Sequence, residues 1–478
     1  MSDLLRDAAS GPLAAELPAR FLEQHALLPL HVAGDGVVVV AAAREVDPTV
    51  LDVLRRRLGR EVRLVDAALN DIQAALLGAG RDATTATASA ATDAAGLGDL
   101  RAQADDAPVV QLVNAALADA LRRGASDVHL ESAADGLRVR LREDGVLRDL
   151  ARYPVALAAG ALSRVKLLAG LDIAERRLPQ DGRARVRHGG RDVDVRVATL
   201  PGLHGESAVL RVLDHGGGQA RTLDTLGMPA DLAERLRGVL RRTSGLVLAT
   251  GPTGSGKTTT LYAALSYLNT PGVKVVSVED PVEYELPGVT QVPVHRKAGL
   301  GFAQALRSIL RHDPDIVMVG EMRDRETAEV AVQAALTGHL VFSTLHTNDA
   351  ASGVTRLVDM GIEPYLVAAT VQAILAQRLV RVLCDTCARP AGDGSRVPQG
   401  CDACRGSGYR GRAGLYELLV PDEGLRRAVV GRESLATLRQ LARASGTRFL
   451  AEAGDAMVRS GQTSREEVLR VTEGSDAA

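Results

Sequence analysis

A glycine-rich segment between an apolar run and a helical pattern is the part of this sequence best suited to chemistry. Within SGLVLATGPTGSGKTTTLYAALSYL, residues 244–268, the stretch 251–258 matches G-x-x-x-x-G-K-[ST] in full. Glycines let backbone N–H groups face phosphate oxygens, and a following helix dipole favours an anion. Because a strand precedes the motif and a helix follows, it predicts a nucleotide phosphate loop rather than a structural turn. The predicted nucleotide-binding residues are Gly251, Pro252, Thr253, Gly254, Ser255, Gly256, Lys257, Thr258 and Thr259.

The lysine and the hydroxyl residue of such a loop have separate tasks. We expect Lys257 to reach the β- and γ-phosphates of ATP, and Thr258 to ligate Mg²⁺. The chain has only four lysines among its 57 basic residues, so a lysine retained in the loop is informative.

Carboxylates follow two apolar runs downstream of this loop. Glu321 ends DIVMVGE, where it is expected to hold Mg²⁺ or orient the attacking water. Glu279, Asp280 and Glu283 follow VVSV, and strand ends in parallel sheets line the ligand crevice. Glu283 or Glu279 is a candidate general base, although a charged surface loop has the same composition.

Two histidines flank the apolar run LVFSTL. His339 precedes it and His346 follows it, with Thr347 and Asn348 next in sequence. These polar groups are candidates for sensing a γ-phosphate through hydrogen bonds. Satisfied structural histidines are the alternative, and the pattern alone does not separate the two.

Four cysteines form two close pairs. Cys384, Cys387, Cys401 and Cys404 give C-x2-C…C-x2-C, the spacing of a tetrathiolate Zn²⁺ site. Four protein ligands leave no open coordination position, so the predicted zinc is structural. Free thiols or two redox pairs are the alternatives.

Composition excludes several function classes. The net charge is −2, aromatic residues make up 2% and tryptophan is absent, which argues against a nucleic-acid motor with a basic, stacking channel. No secretory signal begins the chain, and its longest apolar run, 37–43, is too short to span a membrane. We therefore expect a cytoplasmic protein without a transmembrane segment.

Composition and periodicity divide the chain into six parts. Residues 1–80 are expected to hold a small α/β domain with helices over 48–58 and 71–79. The small, polar segment 81–106 is expected to be a flexible linker. Alternating strands, a hairpin turn at Asp144–Gly145 and two helices predict an α+β domain over 107–216, ending near the glycine run HGGGQ. The expected remainder is an α/β nucleotide domain (220–383), a cysteine module (384–416) and a helical C-terminal region (417–478).

Together these motifs resemble the secretion ATPases of type II secretion and type IV pilus assembly. The resemblance rests on the phosphate loop, VEDPVEYE, the segment ALRSILRHDPDIVMVGEMRDRETAEVAVQAALTGHLVFSTLHTND and AQRLVRVLC, in the family's order. It implies an α/β, RecA-like P-loop ATPase core preceded by a PAS-like α+β domain and a small N-terminal adaptor. A zinc module and a helical tail complete the expected fold.

The resemblance also implies roles for single residues. Glu283 becomes the water-activating carboxylate, with Glu279 as second choice, Glu321 the Walker B glutamate, and His339 and His346 the histidine box. Arginines that neutralise phosphate charge map mainly to Arg196 and Arg211. Three further candidates in the ATPase domain are Arg307, Arg311 and Arg323. The loop between the cysteine pairs, 388–400, is shorter than is usual in the family.

The partners implied by the resemblance are further copies of the chain and a membrane machine. The family works as a cytoplasmic homo-hexamer, peripheral to the inner membrane. Residues 1–80 would contact bitopic adaptor and platform proteins, and the glycine run would serve as the hinge between moving domains. Type II secretion is favoured because the N-terminal region is short, with pilus assembly as the alternative. A scaffold that binds ATP without hydrolysis is disfavoured by the intact phosphate loop and acidic residues.

Overall fold

The computed structural model describes 13, 22, 25, 27–43, 46, 48–68, 72, 107–188, 190–213, 222–392 and 394–472. The chain forms two compact units, Met1–Gln103 and Ala104–Ala478. The predicted linker (81–106), the glycine run (215–219) and most of the predicted helix at 71–79 lie outside the described residues. Within the described ranges, no helix has the length and apolar character needed to cross a membrane.

The first unit contains a three-stranded sheet covered by a helix. Strands β1 (Leu27–Val32) and β2 (Val38–Ala42) are antiparallel, and β3 (Val62–Asp66) runs parallel to β2. Helix α1 (Pro48–Leu58) connects β2 and β3 and is confirmed over its whole predicted length. Leu54 and Leu58 on α1 are buried against β2, all of whose residues are buried. Strand β1 was not predicted, because Pro29 interrupts its apolar run.

The second unit begins with an α+β domain that matches the predicted pattern. Helices α2 (Ala107–Arg123) and α3 (Val155–Leu168) cover one face of a six-stranded antiparallel sheet. Its strands, in spatial order, are β6 (Val146–Tyr153), β5 (Gly136–Glu143), β4 (Asp127–Ala133), β9 (Gly205–Leu213), β8 (Arg191–Gly202) and β7 (Gln180–His188). The predicted turn at Asp144–Gly145 is confirmed, since both residues have positive φ as a type I′ hairpin requires.

The nucleotide domain is built on a seven-stranded sheet. Its strands, in spatial order, are β12 (Thr290–Pro293), β11 (Val275–Glu279), β13 (Ile316–Val319), β14 (Leu340–Leu345), β10 (Gly245–Thr250), β15 (Val371–Leu383) and β18 (Tyr409–Leu419). Neighbouring strands are parallel except β15 and β18. The four strands predicted from apolar runs, β10, β11, β13 and β14, are confirmed. Apolar side chains pack on both faces, as the continuous apolar character of these strands requires.

Six helices surround this sheet. They are α4 (Ala230–Leu240), α5 (Lys257–Leu268), α6 (Phe302–Ile309), α7 (Arg325–Leu336), α8 (Ala350–Asp359) and α9 (Pro364–Thr370). Helices α7 and α8 begin at aspartate N-caps, because Asp324 and Asp349 each accept a hydrogen bond from a backbone N–H three residues later.

The cysteine segment is an insertion between the last two strands of the sheet. It carries the short strands β16 (Arg389–Pro390) and β17 (Arg396–Val397), and the chain then returns to the sheet as β18. Four helices follow, α10 (Glu423–Val430), α11 (Leu435–Ala444), α12 (Leu450–Arg459) and α13 (Arg465–Thr472), and confirm the predicted helical C-terminal region. The exact domain boundaries stay predictions.

A buried carboxylate fastens the last helix to the nucleotide domain. Glu467 on α13 is fully buried and accepts hydrogen bonds from Arg381 on β15 at 2.7 Å and from Arg470 at 2.6 Å. The backbone N–H of Arg381 adds a third donor at 3.0 Å. Burial acts to raise the pKa of Glu467, but these donors lower it from 4.5 to about 2.

We expect Glu467→Gln to lower the free energy of unfolding by about 3 kcal/mol, because it leaves two guanidinium groups without their carboxylate. The contribution of a depressed carboxyl pKa is complete above pH 4.5 and disappears as the pH falls toward 2. Urea denaturation at pH 7 and near pH 3 measures both effects. The neighbouring exposed Glu466, changed to Gln, serves as the matched control and should shift stability by under about 0.5 kcal/mol. Equal midpoints for wild type and Glu467→Gln at pH 7 would contradict this role.

Candidate functional site

The predicted phosphate loop joins β10 to α5 in a glycine-dependent conformation. Gly251, Gly254 and Gly256 have φ values of 145°, 79° and 89°. Gly256 is the N-cap of α5, so the loop leads directly into the positive end of that helix. The Lys257 ammonium group turns back over the loop and donates to the carbonyls of Gly251 at 2.7 Å and Pro252 at 2.9 Å.

Gln377 on β15 forms the wall behind this loop. A Cβ at Gly251 would lie 2.5 Å from the Gln377 carbonyl oxygen, and one at Gly256 would lie 2.7 Å from its side-chain nitrogen. The Gln377 amide oxygen accepts a hydrogen bond from Thr260 of α5 at 2.8 Å. Both glycines are therefore required by close approach as well as by φ. Gln377 was not among the predicted site residues, although it lies in the family segment AQRLVRVLC.

Two features of the loop suit an anionic ligand. The Ser255 hydroxyl is buried and has no hydrogen-bond partner among the residues that the structure describes. Burial, followed by the nearby charge of Arg378, lowers the pKa of Lys257 to about 8, and Glu321 opposes the shift. An anion bound in the loop would satisfy the hydroxyl and stabilise the charged lysine.

Glu321 and His346 lie on the same side of the sheet as Lys257. Glu321 follows β13, accepts a hydrogen bond from Arg323 and lies 3.8 Å from the His346 ring nitrogen Nε2. Burial and then the charge of Lys257 lower the pKa of His346, while Glu321 raises it. The structure thus brings together four predicted site residues: the loop lysine, the Walker B glutamate, Arg323 and one of the two histidines.

The two histidines of the predicted box lie at opposite ends of β14. Thr347 beside His346 is fastened to the end of β10, since its hydroxyl lies 2.7 Å from that of Thr250. His339 precedes β14, and its ring lies 3.0 Å from the carbonyl oxygen of Ala334. A strand of six residues spans roughly 20 Å. The geometry of this chain does not bring His339 to the phosphate loop, and its predicted catalytic role stays a prediction.

The two candidate general bases occupy different environments. Glu279 ends β11, is 3% exposed and accepts hydrogen bonds from Tyr262, Ser277 and Gln291. Its carboxylate therefore has its hydrogen bonds filled within the protein. Glu283, four residues later, is only partly buried and close enough to Arg196 to raise the pKa of that guanidinium, against the larger effect of burial. Of the two, Glu283 has the carboxylate available to a substrate.

Three arginines, Arg183, Arg196 and Arg211, lie side by side on the helix-free face of the α+β sheet and are called the arginine row below. Arg196 on β8 pairs in register with Arg211 on β9 and with Arg183 on β7. The three line a cleft of about 530 Å³, and Asp280 and Pro281 of the nucleotide domain also line it. Arg211 donates to the buried Asp127 at 2.9 Å. Arg183 was missed because the sequence shows alternation along β7 but not the register that sets it beside Arg196.

The two remaining predicted arginines lie on or beside α6. Arg307 donates to Glu326 at 2.8 Å, and Arg311 donates to the carbonyl oxygen of Arg307 at 2.9 Å. Neither hydrogen bonds to the phosphate loop within the described part of the chain. Their predicted role in neutralising phosphate stays a prediction.

The four cysteines converge as the spacing predicted. Their sulfur atoms all lie within 4.8 Å of one another, with Cys387–Cys404 and Cys401–Cys404 at 3.7 Å. Tetrahedral Zn²⁺ with bonds of about 2.3 Å sets sulfurs about 3.8 Å apart, so the cluster fits the metal. Backbone N–H groups of Cys401 and Gly408 donate to the Cys404 sulfur at 3.2 and 3.1 Å. Burial raises the pKa of this thiol, but the N–H donors outweigh it and lower the value to about 6.

The fold is shared with solved ATPase structures over about three quarters of the chain. The fold matches the Legionella pneumophila ATPase DotB with a TM-score of 0.58 at 22% identity, over 76% of this chain and 95% of that one. It matches the pilus retraction motor PilT with bound ADP with a TM-score of 0.54 at 28% identity, over 74% and 94%. The predicted RecA-like α/β fold is thereby confirmed.

Sequence comparison extends the match to both units. Residues 102–470 match the family model "Type II/IV secretion system protein", and residues 3–85 match the MshEN domain. Type II secretion system protein E of Xanthomonas campestris is 45% identical over 97% of this chain and 86% of its own length. HxcR of Pseudomonas aeruginosa, a type II secretion system protein, is 52% identical over 78% and 79%. Type II secretion system ATPase E of Vibrio cholerae is 46% identical over 79% and 78%. With the family model matched over most of its length and relatives 45–52% identical, the chain belongs to the type II/IV secretion system protein family.

Proposed function

We propose that this chain is the ATPase of a type II secretion system, which hydrolyses ATP to drive pseudopilus assembly and protein export. The observation that carries the proposal is the proximity of Lys257, Glu321 and His346 to one another at the phosphate loop. Glu283, on a neighbouring loop of the same domain, lies close to Arg196 of the α+β domain. The relatives carry type II secretion names, which favours this machine over pilus assembly.

The loop residues would bind the nucleotide phosphates in the proposed reaction. Lys257 contacts the β- and γ-phosphates, and backbone N–H groups of the loop supply further donors. Thr258 and Glu321 would hold Mg²⁺, which when bound neutralises phosphate charge. The fit of the loop to an anion is supported by the unpartnered Ser255 hydroxyl and the lowered pKa of Lys257.

Hydrolysis then needs a base and a charge stabiliser on the far side of the γ-phosphate. Glu283 accepts a proton from water as the water oxygen bonds to the γ-phosphorus and the bond to the β–γ bridging oxygen breaks. Arg196 and Arg211 stabilise the charge on the γ-phosphoryl oxygens, and Arg183 joins them in the row. Inorganic phosphate and ADP are the products.

The partners and location follow from the family. We infer that six copies form a ring on the cytoplasmic face of the inner membrane. Residues 1–80, which fall within the MshEN match, would bind bitopic adaptor and platform proteins of the machine. We infer no nucleic-acid partner, given the net charge of −2 and the scarcity of aromatic residues.

We expect Lys257→Ala to abolish nucleotide binding or turnover and Glu321→Gln to lower kcat by about 100-fold or more, because each removes charge stabilisation at the phosphates. Phosphate release by the full-length chain with Mg²⁺ and ATP measures this. Glu329→Gln, on the exposed side of α7, is the matched control and should keep wild-type turnover. Wild-type rates in either site variant would overturn the assignment.

We expect Arg183→Ala to weaken binding of a non-hydrolysable ATP analogue about 10-fold while leaving ADP binding unchanged, because a guanidinium at the γ-phosphate contributes about 1–2 kcal/mol. Calorimetric titration of both ligands makes the comparison. Arg185 lies two residues along the same strand but is paired with Asp194 at 2.9 Å, so Arg185→Ala is the matched control. Equal losses for ATP analogue and ADP, or none for either, would remove Arg183 from the proposed site.

The second proposed cofactor is a structural zinc ion held by the four cysteines. We expect about one equivalent of zinc in the purified full-length chain, and its loss with a lowered melting temperature in Cys384→Ser. Elemental analysis and thermal denaturation measure the two. Asp385→Asn changes an exposed carboxylate between the first two cysteines and should retain the metal. A zinc-free wild type, or a Cys384→Ser variant that keeps full stability, would contradict the proposal.

A further inference from the structure

A buried polar cluster lies behind the loop that carries Glu283. Its centre is Glu279, which is 3% exposed at the end of β11. Ser277 donates to one carboxylate oxygen at 2.7 Å, Gln291 donates to the same oxygen at 3.1 Å, and the Tyr262 hydroxyl donates to the other. A buried carboxylate is costly unless its oxygens are hydrogen bonded, so these donors are what allows Glu279 to be there.

The donors come from different elements, and one of them is the phosphate-loop helix. Tyr262 lies on α5, five residues after Lys257, and is 1% exposed. Its ring packs edge-on against Tyr284, with 4.6 Å between ring centres. Burial, and then the bond to Glu279, raise the pKa of Tyr262, so the hydroxyl stays a donor at physiological pH.

The same groups hold the backbone that carries Glu283. The Glu283 N–H donates to the Tyr262 hydroxyl oxygen at 3.4 Å, so this oxygen gives its proton to Glu279 and receives one from the loop. The Gln291 amide donates to the Tyr284 carbonyl at 3.1 Å and accepts from the Leu286 N–H at 2.8 Å. The side chains of Tyr262 and Gln291 therefore hold the backbone of residues 283–286 in place.

We propose that Tyr262 is a positioning residue whose hydroxyl, oriented by Glu279, sets the place of Glu283 relative to the phosphate loop. This inference rests on the proposed function and deepens it. It assigns Glu279 the task of orienting Tyr262, in place of the water activation for which Glu279 was the second choice after Glu283. It also links nucleotide binding to the catalytic carboxylate, since the helix that begins at Lys257 carries the hydroxyl that holds Glu283.

The test is Tyr262→Phe in the full-length chain, which removes one oxygen and keeps the ring. We expect kcat to fall about 10- to 100-fold, since a small misplacement of a catalytic group has effects of that size. The KM for ATP and the affinity for ADP should stay unchanged, because the phosphate loop is intact. Tyr267 lies on the same helix but is 43% exposed, so Tyr267→Phe is the matched control and should turn over at the wild-type rate.

A double-mutant cycle separates positioning from general destabilisation. If Tyr262 acts through Glu283, adding Tyr262→Phe to Glu283→Gln should lower kcat no further. Multiplicative losses in the double variant, or wild-type kcat in Tyr262→Phe, would overturn the inference.

Two further measurements test the inference if Tyr262→Phe misfolds or the wild-type chain is inactive. Gln291→Met removes the second contact to the loop while nearly preserving volume, and should lower kcat in the same way with KM unchanged. Unchanged kcat in that variant counts against the inference. A wild-type chain that binds ATP yet releases no phosphate would instead remove the proposed function, and the two failures are thereby distinguished.

Discussion

Parallel pairing of β10, β11, β13 and β14 is the constraint on which the candidate site depends. Parallel strands in register end at one edge of a sheet, and here Thr250 aligns with Leu345, and Val319 with Ser343. The phosphate loop, the Glu279–Glu283 loop, Glu321 and His346 each follow one of these strand ends within a few residues. Chain segments nearly 100 residues apart in sequence are thereby set side by side at this edge.

Side-chain hydrogen bonds at this edge of the sheet further fix the positions of the residues that the strand register brings together. The Ser343 hydroxyl donates to the Val319 carbonyl, and the Thr344 hydroxyl to the Gly320 carbonyl, both at 2.8 Å. The Met322 N–H donates back to Thr344 at 3.1 Å, so the chain on both sides of Glu321 is held by β14. Glu283 is held in the same manner by Tyr262 and Gln291. Catalytic carboxylates placed by fully bonded neighbours need little reorganisation when charge develops on a substrate.

Features that depend on residues close together in sequence were predicted, whereas features that depend on strand register were missed. The phosphate loop, the α1 and α2 helices and the Asp144–Gly145 turn follow from glycine spacing and apolar periodicity, which act over a few residues. Strand register and packing against distant parts of the chain determine the positions of Gln377, Arg183 and Tyr262. Neither the register nor the packing can be read from local sequence patterns. His339 is the converse case: it is close to His346 in sequence, but a full strand length separates the two because the intervening residues are extended.

The positive charge of the arginine row is compensated partly within the α+β domain and partly by carboxylates of the nucleotide domain. Like charges directly opposite on neighbouring strands destabilise a sheet, yet Arg183, Arg196 and Arg211 lie abreast. Asp127 compensates Arg211, whereas Arg196 is close to Glu283 and Asp280, which belong to the nucleotide domain across the cleft. The α+β domain is thus attracted to the catalytic loop by charges that a bound γ-phosphate would also engage. A second attachment, between Asp144 and the segment at Gly411 and Arg412, lies at the start of β18 beside the cysteine insertion. Because binding and loss of the γ-phosphate change the charge at the first attachment and leave the second untouched, only the first attachment would respond directly to hydrolysis in the proposed mechanism.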